Sequence, residues 1–357
     1  MPHVSSFWVR SPVVLAGATS LLLVGTGAAS AHVKWFCAFD VAGRPRGLEQ
    51  VLCADFEWLT GLALVCLMFG CLAEGTPLGT ALLNALDRVT VRIRDNSALI
   101  VRAVVGFFLV SLWNLGGIIL TPELKTDAAW ISWLQLAMAA GLLWKRTLPL
   151  TAAGIAFLFA FAVWNYGAFH LADYPVFLGV AAFLALIAFD RTLFGRRPID
   201  IVRIAAAITL MWASVEKWAY PQWTDPLIAA KPGMTMGATP ELFMQAAGVI
   251  EFTLAFALIW TPLVRRASAI ILAAIFISAI FEFGKIDAVG HSSIVAVLIA
   301  VAADDARVAA TRRDVVLAPV YYASALMMFL GVYYLAHGVL YGRLYGVGAA
   351  IGGVPAI

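Results

Sequence analysis

The sequence predicts an all-α, polytopic transmembrane helical bundle of about ten helices behind a cleaved signal peptide, and three observations carry that prediction. The 357 residues are 62% apolar and only 13% charged, with a mean hydropathy of +0.91. A soluble domain carries about a quarter charged residues, and half of that cannot cover a water-facing surface of this size. Apolar windows of the roughly twenty residues needed to cross about 30 Å of hydrocarbon recur along the chain. Lys and Arg crowd into alternate connections, as they do in chains that orient themselves in a bilayer. Together these exclude a soluble enzyme, a disordered regulator and a nucleic-acid-binding module, and a net charge of +3 is too small to mark a polyanionic partner.

In chain order, Arg10 precedes an apolar run over 12–24, and Ala29-Ser30-Ala31 supplies the small residues of a cleavage site. Residues 1–31 therefore read as an export signal and 32–56 as a periplasmic segment. Spans are expected at 57–74, 97–120, 128–144, 148–168, 174–190, 200–220, 240–261, 266–283, 288–303 and 315–340. Residues 57–96 then form a first span with its inner loop, 97–190 and 199–304 two four-helix units, and 315–357 a final span and outer tail. With His32 outside, the inner side receives Arg88, Arg92, Arg94, Arg102, Lys145, Arg146, Arg191, Arg196, Arg197, Arg203, Arg265, Arg266, Arg307, Arg312 and Arg313, fifteen of the 24 Lys and Arg. This points to the inner (plasma) membrane, with the lipid bilayer as partner and both mature termini on the periplasmic side. Lys34, Arg44, Arg46, Lys125, Lys231, Lys285 and Arg343 fall outside, with Lys217 near an outer helix end. Trp164, Tyr166, Trp218, Tyr220 and Trp223 also sit at outer helix ends and read as interfacial anchors.

Export would place Cys37 and Cys53 in an oxidising compartment, which makes them a disulfide candidate. Cys66 and Cys71, five apart in an apolar helix, read as packing residues, and no Cys-x-x-Cys-His is present for covalent haem. The two four-helix units share a pattern. Ile100-Val101-Arg102 opens one and Ile201-Val202-Arg203 the other, and a pair of aspartates seventeen residues apart, Asp173 and Asp190 or Asp287 and Asp304, brackets the last helix of each. Four helices is an even number, so the units are expected to be parallel repeats about an axis along the membrane normal.

Ionisable groups inside spans cost several kcal/mol unless paired or hydrated, which makes them functional candidates. Glu251 lies midway along its expected helix, flanked by Gly248 and Ala255, and Lys217 on the preceding helix is the candidate partner. That pair either locks two helices together or handles protons or a ligand. Glu216 and Lys217, being sequence neighbours, point about 100° apart. One is expected to meet the Glu251 helix and the other the polar turn holding Glu282, Lys285, Asp287 and His291. Asp287 reads as an N-cap there. A freed His32 would offer an amine and an imidazole, and His170 and His291 could complete a copper or zinc site, although no spacing motif ties them together.

The segment 201–303 resembles the DoxX/DoxD-like family of small four-helix membrane proteins, with a fainter echo in 98–190. Three features carry it: Ser214-x-x-Lys217-Trp218, similar to the family's Gly-x-x-Lys; Glu251 within 249–260, followed by Arg265-Arg266; and the polar turn between the last two helices. Ser214 and Ala255 stand where the family carries Gly. The stretch His32-Val-Lys-Trp-Phe36 is similar to the start of longer bacterial membrane proteins built around such a domain. The family includes membrane subunits associated with thiosulfate:quinone oxidoreductase. The resemblance therefore implies an accessory subunit of a quinone-linked redox system, with a redox partner subunit and quinone as its cofactor. Lys217 and Glu251 would hold the headgroup or its protons, and Trp212 and Trp218 would pack the ring. Copper handling, small-solute transport and a non-catalytic membrane-assembly or envelope role stay open beside it.

Overall fold

The computed structural model describes residues 33–307 and 311–342, so the expected signal peptide, His32 and the tail beyond 342 lie outside the described residues. Within them the chain is helical. Its principal helices are α1 Ala54–Glu74, α2 Pro77–Asp95, α3 Ser97–Leu115, α4 Trp130–Gly141, α5 Leu148–Tyr166, α6 Pro175–Phe189, α7 Pro198–Ala219, α8 Pro240–Ala257, α9 Pro262–Phe283, α10 Lys285–Ala303 and α11 Arg312–His337. Proline stands in the first turn of α2, α5, α6, α7, α8 and α9, where its missing N–H removes no helical hydrogen bond. Thr76, Thr239 and Thr311 cap α2, α8 and α11 through their side chains.

Every expected span contains a helix, but among the described residues seven helices (α1, α3, α5, α7, α9, α10 and α11) are long and apolar enough to cross a membrane, which makes this a multi-pass membrane protein. The others depart from expectation for local reasons. α4 has 12 residues and α6 has 15. At 1.5 Å per residue both fall short of about 30 Å of hydrocarbon. The helix expected over 97–120 stops at Leu115, because Gly116 and Gly117 both take positive φ, 67° and 62°. The chain then folds back as a buried hairpin, and Gln135 on α4 donates to the carbonyls of Ile118 and Ile119 at 2.8 and 2.7 Å. Those bonds satisfy backbone that a lipid environment would leave bare.

Residues 77–95, expected as an inner loop, form the amphipathic helix α2. Leu83 is buried, and Asp87 on the same face pairs with Arg266, near the start of α9, and with Arg307, in the segment after α10. Leu78, Leu82 and Val89 face outward. Averaged hydropathy hides such a helix, because its apolar face is diluted by Arg88, Arg92 and Arg94.

The two four-helix sets pack alike. In the first, α3 lies on α4 and α5 on α6; in the second, α7 lies on α8 and α9 on α10. They join reciprocally, α6 against α7 and α10 against α3. Each set closes one end with the same two bonds. Arg102 on α3 donates to the Leu142 carbonyl at the end of α4 at 2.9 Å, and Arg203 on α7 donates to the Leu258 carbonyl at the end of α8 at 2.7 Å. Lys145 pairs with Asp190 at 2.6 Å, and Arg265 with Asp304 at 3.4 Å. Helices α1 and α11 pack on each other and on α8, flanking the second set.

The arginine-rich end is tied by charge. Arg197 grips Asp304 through two 2.8 Å bonds and also holds Asp200. Burial would raise the Asp304 carboxyl, but the Arg197 hydrogen bonds and the Arg265 charge outweigh it and hold Asp304 below its ordinary 3.8. A carboxyl depressed in the folded state stabilises fully above its unfolded value and loses that contribution as pH falls. The melting temperature in detergent is therefore expected to hold from neutral pH to about 5 and to drop below about 4. Asp304→Asn should lower the plateau and flatten the acid fall. An unchanged acid limb in the variant would show that Asp304 does not carry it.

Candidate functional site

At the end of the bundle away from that network, polar groups from both sets meet a short N-terminal turn. Val33–Trp35 forms one 3-10 turn laid into the junction. The Lys34 Nζ lies 2.9 Å from Asp173, in the loop before α6, and 2.6 Å from Glu216 on α7, and the side chains are 0%, 0% and 6% exposed. Its ammonium also sits 5.7 Å from the Trp223 ring centre and 5.8 Å from that of Phe39. Burial works against the Lys34 charge, but Asp173 and Glu216 more than offset it, and the amine is raised above its ordinary value. Trp35 continues the insertion. The ring centre of its indole lies 4.6 Å from that of His291, tilted by 47°, and His291 in turn lies 4.6 Å from Phe276. A Cβ at position 290 would come within 2.1 Å of that indole, so Gly290 is what admits it.

Lys217 turns to the other side of α7, and its Nζ is 3.0 Å from Glu251 on α8. The pair borders a cavity of about 60 Å³ that Trp35, Asp173, Phe276 and His291 also line. A second, of about 30 Å³, is lined by Val33, Glu216, Tyr220 and Trp223, with Lys217 on its wall too. Such volumes hold water, since a site needs roughly 10–15 Å³ of this kind per molecule. His291 Nδ1 is 3.0 Å from Asp287. Next to Asp173, the Tyr174 hydroxyl donates to Glu123, which lies 3.9 Å from His170 Nε2. Burial chiefly, with the Glu123 charge, pushes the Tyr174 hydroxyl well up, so it remains a donor.

The polar groups therefore pair off separately: Lys34 with Asp173 and Glu216, Lys217 with Glu251, Tyr174 with Glu123 near His170, and His291 with Asp287.

The expected site residues divide accordingly. Lys217, Glu251, Asp287 and His291 line or adjoin the larger cavity, and Glu216 lines the smaller. Glu282 and Lys285 are exposed, and Glu282 pairs with Lys231 at 2.5 Å, so neither joins the site. Glu216 meets Lys34 rather than the 281–291 turn. Asp287 is not an N-cap: α10 begins two residues earlier, after Gly284 at φ 77°, and Asp287 is buried within its first turn. Trp218, Tyr220 and Trp223 are buried rather than interfacial, Trp218 lying close over Gly248 and Tyr220 stacking on Trp223 at 4.2 Å. Trp212 packs on Tyr333 at 4.9 Å, so the rings at the larger cavity are Trp35, Tyr174, Phe177 and Phe276 instead.

Cys37 and Cys53 are free thiols with different neighbours: Cys37 meets the Leu227 backbone, and Cys53 begins α1 and accepts from Gln245 at 3.1 Å. His170 and His291 sit in separate polar groups, and among the described residues no three His, Cys, Asp or Glu come together as metal ligands; His32 lies outside them. Lys34, Asp173, Glu123 and Tyr174 are the site residues that sequence reasoning missed. The available signal was a lysine followed at once by Trp35 and Phe36, a cation embedded in an apolar patch. Comparison with models of protein families, with curated proteins and with solved structures finds no match to this chain.

Proposed function

We propose that this protein is a quinone-linked accessory subunit of the inner membrane, with a redox partner subunit docked to it. The observation that carries the reading is the cavity between the two four-helix sets. It combines a partly buried Lys217–Glu251 pair with a ring slot, now filled by Trp35, against His291. Quinone reduction takes up protons as well as electrons, and the site offers acid and base groups next to aromatic faces. A headgroup is larger than about 60 Å³, so it enters where the Trp35 indole now stands. The two sets are read as parallel repeats, a reading supported by their matched Arg-to-carbonyl and Asp-to-base bonds. The arginine-rich end is assigned to the cytoplasm by the positive-inside rule, and the Lys34 end to the periplasm. The signal peptide at 1–31 belongs to the same reading.

Titrating a short-chain ubiquinone analogue into the detergent-purified chain should quench tryptophan fluorescence saturably. Glu251→Gln should weaken that binding about tenfold, the scale of one charged hydrogen bond. Unsaturable quenching, identical in both proteins, overturns the reading. A non-catalytic assembly role is the second reading, favoured by the ion pairing of Lys34 and Lys217, which locks helices as readily as it serves chemistry.

A further inference from the structure

Residues 33–36 behave as a bound molecule more than as part of the bundle. Among the described residues no backbone-to-backbone hydrogen bond joins 33–45 to a helix; the first is from Arg46 N to the Ala219 carbonyl at 2.9 Å. The turn closes on itself, through the Phe36 and Cys37 amides to the Val33 carbonyl. Side chains hold it: Lys34 on two carboxylates, Trp35 against His291, and Phe36 against Phe283 at 5.3 Å. Val33 lines one cavity and Trp35 the other, and Lys217 lines both.

The surroundings of Lys34 have the composition of an ammonium site. Two carboxylates accept from the cation at 2.9 and 2.6 Å, and the faces of Trp223 and Phe39 complete the enclosure. Asp173 joins this cradle to the ring slot, because it binds Lys34 and also lines the cavity of Trp35 and His291. Cradle and slot together match a molecule carrying a primary ammonium group and an aromatic ring.

We propose that the junction between the two four-helix sets is a binding site for an aromatic primary amine, and that Lys34 and Trp35 are its tethered occupant. The tether acts as a competitor: a free ligand binds only as residues 33–36 withdraw. The Trp35 slot is the one the quinone reading also uses, but the ligand class differs, because it follows from the Asp173–Glu216 cradle and involves no redox step.

Tryptamine, an ammonium joined to an indole, is the probe. Isothermal titration of the full chain in detergent should show saturable one-site binding to Lys34→Ala/Trp35→Ala, at least about tenfold tighter than to the unaltered chain. Adding Asp173→Asn should weaken it about tenfold again, the loss of one charged hydrogen bond. No saturable binding by the folded double variant, equal binding by the unaltered chain, or binding indifferent to Asp173→Asn overturns the proposal. Should the double variant fail to fold, the unaltered chain decides. Cys37 is a free, half-buried thiol directly after the turn. Tryptamine should accelerate its maleimide labelling, read on the Cys37 peptide, several-fold as the turn leaves. A rate independent of tryptamine overturns the proposal.

Discussion

Lys34→Met is expected to lower the stability of the detergent-solubilised protein by about 3–5 kcal/mol, the cost of breaking a buried ion pair from one side. The methionine keeps most of the side-chain volume, so the loss is one of charge. Asp173 and Glu216 would lose the Lys34 charge held between them, at 0% and 6% side-chain exposure. Removing the remaining charges should reverse most of the effect, because a neutral, space-filling replacement of a buried ion cluster is often tolerated. Lys34→Met/Asp173→Asn/Glu216→Gln should therefore melt above Lys34→Met alone. Thermal unfolding followed by circular dichroism checks both. A single variant as stable as the parent would mean that Lys34 is not buried between the carboxylates.

Lys217→Leu should cost less, about 2 kcal/mol, since a charged hydrogen bond contributes roughly 1.5–3 kcal/mol and the adjacent cavity gives Glu251 access to water. Lys217→Leu/Glu251→Leu is expected to recover that stability. Under the proposed function it should also abolish saturable binding of the ubiquinone analogue. The two readouts separate the roles of the pair. A helix lock alone would restore stability and leave binding intact, whereas a ligand-handling pair restores stability and loses binding.

Legibility in the sequence followed the range of the interactions. The apolar windows at 200–220 and 266–283 correspond to helices because a span is written in consecutive residues. Lys217 beside Glu251 is readable because both lie in one four-helix unit, on successive long helices. Lys34 is not readable in that way. Its partners are 139 and 182 residues away, in different units, and a segment expected to be periplasmic reads as exposed. Trp218 and Tyr220 mislead for a related reason. An aromatic at a helix end belongs at a membrane interface unless another segment covers it, and here Phe56 packs on Trp218 while Gly43 and Val41 lie over the Tyr220 hydroxyl. The end of α3 was legible in principle, since Gly116-Gly117 is a breaker signal, but the apolar residues Ile118–Leu120 continued the window across it.

Lys34 lies sealed between the two four-helix sets. Acylation of the intact protein in detergent with an amine-reactive reagent, read residue by residue by mass spectrometry, tests it directly. Lys125 and Lys285 are exposed and should be modified early, while Lys34 should stay unmodified until the protein unfolds. Modification of Lys34 at the rate of Lys285 in the folded protein would contradict the account.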